Sequence, residues 1–463
     1  MTTKTVTQSL NEAPLGLFHL RAVLTAGMGF FTDAYDLFII GAALVLIKAE
    51  WHPSSVMVGF LGSTALLAAF LGALLFGRLA DLFGRKKIYG LEAALMAAGA
   101  IASAFAPSIL WLLAFRFIMG LGIGGDYPVS AVLMSEYANT KDRGKLVSLV
   151  FSMQALGLIA GPIVALTLLA SGINPHVAWR LMLGLGAIPA LAVIILRRKM
   201  PESPRYLAQV KGQSAEAQIK LSQFSGGLTA SATDAEPVKR LTLGSMLSQS
   251  RYWVLLLGTA GSWAVFDYAY YGNSISLPLV LKAVAPHATA TATIAWSLII
   301  FAVAAVPGYI LAFFTIDKIG HKKLQWMGFL LMGSAFGVIG IVPGLTKDVI
   351  PFLLIFGFSY FFAEFGPNTT TFVISAEVYP TSVRATGHGI SAGVAKLGAF
   401  VGVFVFPLLN AALGLRGTLL ITFGFAIIGV LLTLLLPEPS QMSLEELEDP
   451  SKTKGKWVRV VNE

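Results

Sequence analysis

Gly77-Arg78-Leu79-Ala80-Asp81-Leu82-Phe83-Gly84-Arg85-Lys86-Lys87 has an echo 236 positions later, in Asp317-Lys318-Ile319-Gly320-His321-Lys322-Lys323. Asp81 aligns with Asp317 and Lys86 with Lys322. Each stretch closes one long apolar run and opens the next. A second pair repeats as well. Glu136 and Arg143 stand seven apart, as do Glu377 and Arg384, 241 positions on. Asp33 and Asp267, each inside an apolar run, lie 234 apart. Three independent landmarks at nearly one offset are hard to obtain by chance, so the chain reads as a duplicated unit.

Composition says where such a unit lives. Of 463 residues 56% are hydrophobic and 12% charged, against about 25% charged in an ordinary soluble domain. A disordered chain is not this apolar, and a soluble globule cannot hide so much apolar surface. There is no cysteine, hence no disulfide, thiolate metal site or cysteine nucleophile. Residues 1–16, MTTKTVTQSLNEAPLG, lack the apolar core of a signal peptide. A helix crosses a bilayer with roughly 20 apolar residues. Twelve such runs are predicted, at about 20–47, 56–77, 88–106, 109–135, 145–170, 179–197, 252–281, 291–315, 325–343, 349–376, 386–413 and 417–436. They are numbered spans 1 to 12. The alternating ten-residue segments of a membrane β-barrel are missing from the sequence. The expected fold is an all-α membrane protein of twelve transmembrane helices in two six-helix bundles. The predicted division is 1–197 for the first bundle, 198–250 for a polar linker, 251–437 for the second bundle and 438–463 for a tail. Parallel repeats of this kind are a transporter architecture, with the substrate site near the midplane between the halves.

Lys and Arg set the orientation. Of 33 basic residues, all but seven fall on one side, with the linker and both termini. Lys48, Arg180, Lys282, Lys347 and Arg416 fall on the other, and Arg116 and Lys396 sit within spans. Both termini are therefore expected in the cytoplasm, with the chain in the plasma membrane. The same asymmetry accounts for the net charge of +9 better than a nucleic-acid partner does. An acid beside a helix end can pair with bases on a neighbouring helix and lock that face shut. The expected gating residues are Asp81, Arg85, Glu136, Arg143, Asp317, Glu377 and Arg384. The plainer alternative for the loop Asp81–Lys87 is a tight turn carrying a basic cluster.

Gly77–Lys87 resembles the loop signature of the major facilitator superfamily. Pro201-Glu202-Ser203-Pro204-Arg205 and Glu377…Pro380-Thr381…Arg384 resemble loop motifs of its sugar-porter branch. Gly124-Gly125-Asp126-Tyr127-Pro128, Phe31-Thr32-Asp33-Ala34-Tyr35-Asp36 and Phe365-Gly366-Pro367-Asn368-Thr369-Thr370-Thr371 together resemble the phosphate:proton symporter family. The resemblance runs from about residue 17 to 437. It implies a proton-coupled importer of inorganic phosphate, working by alternating access, with Tyr127, Gln154, Trp263, Asp267, Tyr271 and Asn368 around the anion.

The residues themselves point the same way. Charge inside a span is costly and marks function by default. Asp33 and Asp36 lie three apart, on roughly one helix face, where proximity and burial both favour a bound proton. Arg116 precedes Asp126 by ten residues, about 15 Å along a helix, too far to pair with it. The resemblance favours Asp36 as its partner, and a permanent structural ion pair is the equal alternative. Asp33 and Asp126 are the expected proton sites, and Glu92 in span 3 is a relay or merely interfacial. For Glu364 only pairing or water contact is expected. Trp263, Asp267 and Tyr271 recur every four residues and stripe one face of span 7. Tyr127 and Asn368 are equivalent in the two repeats and are expected to face each other. Tyrosine hydroxyls, an indole N–H and two amides offer neutral donors to a tetrahedral anion. Asp267 can accept an O–H of dihydrogen phosphate, whereas sulfate has none to give. Lys396, deep in span 11, adds compensating charge. Gly120-x-Gly122-x-x-Gly125 matches a dinucleotide fingerprint, but no strand precedes it; close helix packing is the better reading. The chain is thus expected to be no enzyme, to need no cofactor or metal, and to act as a monomer on phosphate and protons in a lipid bilayer. The alternatives are a proton symporter for an organic anion or sugar, and a non-transporting nutrient sensor.

Overall fold

A computed structural model of the chain describes residues 5–225 and 241–449. The parts of the predicted linker and tail at 226–240 and 450–463 lie outside the described residues. Everything regular among the described residues is helical. A helix satisfies its own backbone polar groups, which a bilayer demands.

Nine described helices are long and apolar enough to cross a membrane. One of them, Arg384–Leu434, is 51 residues long and is broken at Gly414, whose φ of +68° no L side chain adopts readily. It holds spans 11 and 12, separated where the sequence predicts. Span 7 is assembled from Ser250–Leu256, Leu257–Gly261 and Ser262–Ile275. Span 3 is Leu91–Ala104, only 14 residues, about 21 Å at 1.5 Å per residue. It is shorter than predicted because Gly90, at φ +116°, turns the chain just before it. The Glu92 carboxylate then accepts the Gly90 N–H at 3.0 Å and caps the helix start. With these three accounted for, the described residues hold twelve spans.

The remaining spans follow the prediction within a few residues. Span 1 is Leu17–Trp51 and span 2 is Ser55–Phe83, capped by Ser54. Span 4 is Ile109–Tyr137, span 5 Arg143–Ala170 and span 6 Pro175–Arg197. Span 8 is Ala290–Ile319, span 9 His321–Ile341 and span 10 Val349–Glu377. Spans 2 and 4 touch backbone to backbone. A Cβ on Gly120 or Gly124 would overlap the carbonyls of Ala65 and Ala69, so those glycines do serve packing. Short helices Val6–Asn11 and Leu444–Glu448 flank the bundle at the end where the linker leaves.

The exterior is apolar: Phe105, Val303, Ile350 and Leu354 are among many large side chains that stand exposed. The interior holds the charge. Asp33, Asp36, Glu92, Arg116, Asp126, Arg197, Asp267, Glu364 and Lys396 are all buried. That inversion of the soluble pattern fits a lipid surround. One continuous apolar core runs through both halves.

Candidate transport site and its gates

Lys396 of span 11 lies where the two halves meet. Its Nζ donates to Asp267 Oδ2 at 2.8 Å and to the Tyr271 hydroxyl at 3.2 Å, both on span 7. The same ammonium sits 4.4 Å from the ring centres of Tyr127 and Tyr271 and 5.9 Å from that of Trp263. Aromatic faces attract a cation, so the stripe on span 7 and Tyr127 on span 4 together form its cage. The Tyr127 and Tyr271 hydroxyls are 3.4 Å apart and join the halves directly. Phe30, Phe151 and Phe372 pack edge-on around Tyr127. The site is sealed: Tyr127, Gln154, Trp263, Asp267, Tyr271, Asn368 and Lys396 are each 2% exposed or less.

Several site groups keep unused capacity. Asp267 Oδ1 and Gln154 Nε2 have no partner among the described residues. The Trp263 indole N–H faces Asp267 without closing a well-formed hydrogen bond. An unmatched buried donor or acceptor costs about 1–3 kcal/mol. The cage is thus built with donors and an acceptor to spare, which is what an oxyanion carrying O–H groups needs.

Asn368 finds its partners within its own half. Its amide donates to Glu364 and, at 2.8 Å, to the Tyr309 hydroxyl. Glu364 one turn earlier supplies a carboxylate acceptor that outcompetes a phenol across the interface. The pairing of Arg116 with the Asp36 carboxylate does not form. The guanidinium reaches the backbone carbonyl of Asp36 at 3.5 Å.

The acids of the N-terminal half find a different cation. Arg197, the last residue of span 6, donates to Asp126 Oδ1 and to Glu92 Oε1, each at 2.6 Å. Ser130 adds a bond to Asp126, and the Tyr89 ring lies 4.3 Å below the guanidinium. Sequence reasoning missed Arg197, counting it among the loop bases. The available signal was charge balance: two buried acids in spans 3 and 4 left without a cation. Asp33 is buried with neither oxygen partnered among the described residues. The charges that act on it are Asp126, Arg197, Asp36 and Lys396.

The seven gate residues gather at the linker end in two matching clusters. Arg85 meets Asp81 at 3.1 Å and Glu136 at 2.9 Å, and Arg384 of the other half reaches Glu136 at 3.4 Å. In the second cluster His321 meets Asp317 at 3.3 Å and Glu377 at 3.2 Å, and Arg143 of the first half reaches Glu377 at 2.9 Å. Each acidic cluster draws one arginine from the opposite half. Asp81 also accepts the Thr386 N–H at the start of span 11, and Asp317 accepts the Lys145 N–H at the start of span 5. Carboxylates are favoured at helix N-termini.

A third layer was not foreseen. Glu202 accepts the N–H groups of Arg85 and Lys86, and Glu438 those of His321 and Lys322. The signal was present, since Pro201-Glu202 and Pro437-Glu438 lie 236 apart. The opposite end closes differently. There Gly41 approaches Ile275, Gly62 approaches Val403 and the rings of Phe60 and Phe404 lie 4.9 Å apart. The linker end is fastened by ion pairs; at the other end no ion pair joins the halves among the described residues.

Two repeated halves, a sealed polar cage between them and a gate at each end define a membrane carrier. A family profile described as "Sugar (and other) transporter" matches residues 22–449. A probable inorganic phosphate transporter 1-6 of Arabidopsis thaliana is 35% identical, over 98% of both chains. A repressible high-affinity phosphate permease of Neurospora crassa is 34% identical, over 96% of this chain and 89% of its own. Among solved structures, the proton:xylose symporter XylE, bound to 6-bromo-6-deoxy-D-glucose, superposes with a TM-score of 0.77. It is 21% identical, over 93% of this chain and 98% of that one. A partially occluded, inward-open form of XylE from E. coli gives 0.72, at 20% identity over 90% and 97%. The chain belongs to the sugar (and other) transporter family, with the fold of the major facilitator superfamily. It is a transporter, not an enzyme.

Proposed function

We propose that this transporter imports inorganic phosphate together with protons, by alternating access of its two halves. The observation that carries the reading is the Lys396 ammonium, caged with Asp267, Tyr271, Tyr127 and Trp263 at the interface. A neutral sugar has no use for a buried cation. Dihydrogen phosphate brings a negative charge for Lys396 and O–H groups for the free Asp267 oxygen. Sulfate leaves that oxygen unpaired. The names of the relatives, phosphate transporters and a phosphate permease, support the same substrate.

Proton coupling follows from a broken symmetry. Asp33 and Asp267 are equivalent in the repeats. Lys396 neutralises Asp267, but its near-equivalent in the first half is Gln154, which is neutral. Asp33 is left as a carboxyl that is costly to bury as an anion and is best carried protonated. Asp126, Glu92 and Arg197 form the charged patch that receives its proton. In the cycle, Asp33 loads from the outer side and phosphate enters the cage. The halves then rock, the ion-pair gate opens, and both leave into a less acidic cytoplasm.

The excess of basic residues at the linker end supports a cytoplasmic side for that end and both termini, with the chain in the plasma membrane. Residues 1–197 and 251–437 are the two rocking bodies, joined by 198–250 and strapped by residues 438–449. One chain supplies the whole cage, so a monomer suffices. The test is uptake of labelled phosphate, sulfate and xylose into proteoliposomes, with and without an inward proton gradient. Phosphate alone is expected to enter, faster with the gradient and slower with a protonophore. Uptake indifferent to both sinks the coupling. Full uptake by Asp267→Asn sinks the site.

A further inference from the structure

Glu364 is fully buried in span 10 and takes no part in the scheme above. One carboxylate oxygen accepts from the Asn368 amide. The other has no well-formed partner among the described residues, and the Tyr270 and Tyr309 hydroxyls lie close enough to the carboxylate to favour its charged form. No Lys, Arg or His reaches Glu364 within ion-pair distance among the described residues. The other buried acids among the described residues of the second half are paired: Asp267 with Lys396, and Glu377 with Arg143 and His321. The titratable groups around Glu364 are three tyrosines: Tyr270 from span 7, Tyr309 from span 8 and Tyr360 from its own helix. Span 9 meets this turn through Gly328, which has nothing to titrate.

The backbone is irregular here: of the π-helical stretches among the described residues, this is the one with a proline inside it. Glu364–Asn368 forms a π-turn within span 10, containing Gly366 and Pro367. Such bulges cluster at functional sites. The turn puts Asn368, a residue expected at the anion, under the control of Glu364. While Glu364 is charged, it holds the Asn368 N–H groups away from the cage. Once it is protonated, that pull falls to an ordinary neutral hydrogen bond, roughly half as strong.

We propose that Glu364 is a second proton-carrying residue, whose protonation releases Asn368 to bind the phosphate. The inference rests on the phosphate reading above. The proton comes from the outer aqueous side, binds a carboxylate oxygen as phosphate enters, and leaves to the cytoplasm with it. A negative charge near the arriving anion is removed in the same step, so substrate and second proton each favour the other's binding.

The test is calorimetric titration of the purified protein with inorganic phosphate, in buffers of different ionisation heat, from pH 6 to 8. The protons taken up per phosphate are counted. Glu364→Gln is expected to bind phosphate still, but with up to about one proton fewer taken up and a flatter pH dependence of affinity. Phosphate binding with an unchanged proton count overturns the proposal and leaves the phosphate reading intact. If the wild type binds no phosphate, both fall. Should Glu364→Gln not fold, Tyr309→Phe keeps the charge and removes a hydroxyl facing it. Its binding midpoint should move to higher pH, because the charged form loses a donor. A midpoint that stays in place overturns the proposal.

Discussion

Lys396 and Asp267 show what a residue pair does when buried together. Each holds the other's charge, and neither has a second ion-pair partner among the described residues. Removing one leaves a bare ion, at a cost of about 3–5 kcal/mol, while removing both is often nearly neutral. Lys396→Met should therefore lower the melting temperature of the detergent-purified protein markedly. Adding Asp267→Asn should restore most of the loss, with no phosphate uptake in either variant. Equal melting of the single and double variants would show that the pair is not coupled. This pair was half legible in the sequence: an acid and a lysine deep in two spans demanded explanation, but nothing in the spacing joined them. Arg197 was illegible for a physical reason. A guanidinium at a helix end reads as a loop base, and only the fold reveals that it turns inward. The partners of the Asn368 amide were not legible, because repeat equivalence fixes backbone position while the side chain follows the nearest charged acceptor.

At the scale of elements, the proposed gate is a set of helix ends stitched by carboxylates. Arg384 and Arg143 each cross to the other half. Arg384→Ala removes one cross-tie and leaves Glu136 with Arg85 alone, so the linker end should open more often. The protein has no cysteine, which gives a clean readout. Ser135, buried with its hydroxyl on the Ala376 carbonyl across the interface, can be replaced by cysteine at little steric cost. Alkylation of Ser135→Cys should quicken several-fold in the Arg384→Ala background. An unchanged rate would mean that this tie does not hold the gate. Span positions were readable from apolar run length alone. The shortness of span 3 was not, because its cause is a single glycine turn and a carboxylate cap.

For the whole molecule, the last described segment acts as a strap across both halves. The Met442 carbonyl accepts from Arg143, Glu448 holds the Thr381 N–H and Arg384, and Glu445 pairs with Arg205 and with Asn11 of the first short helix. Burial pushes the Glu445 carboxyl up, but Arg205 and Asn11 outweigh it and bring it down to about 2. A group depressed in this way adds its full stabilisation above the ordinary glutamate range. That contribution fades as pH falls from about 4.3 toward 2. Docking of a fluorescent label on the tail should thus hold from neutrality to about pH 4.3 and weaken below it. Truncation after Pro437 should raise protease access to the linker-end loops at pH 7. If access is unchanged, the strap carries no load. The two-body plan was legible from the repeat, whereas the strap was not, since its short acidic helix looks like any polar terminus.

The exchange of arginines between the clusters also constrains how the protein is born. Glu136 and Arg384 are 248 residues apart. At about 5–20 residues per second, the first half waits roughly 12–50 s on the ribosome before its missing cation exists. Through that interval Glu136 leans on Arg85 alone, and the face it belongs to has nothing to close against. The nascent chain therefore passes through the membrane machinery with its interior face unlatched. Arg384 and the acids of the strap, made later, turn the newly inserted bundle into a locked one.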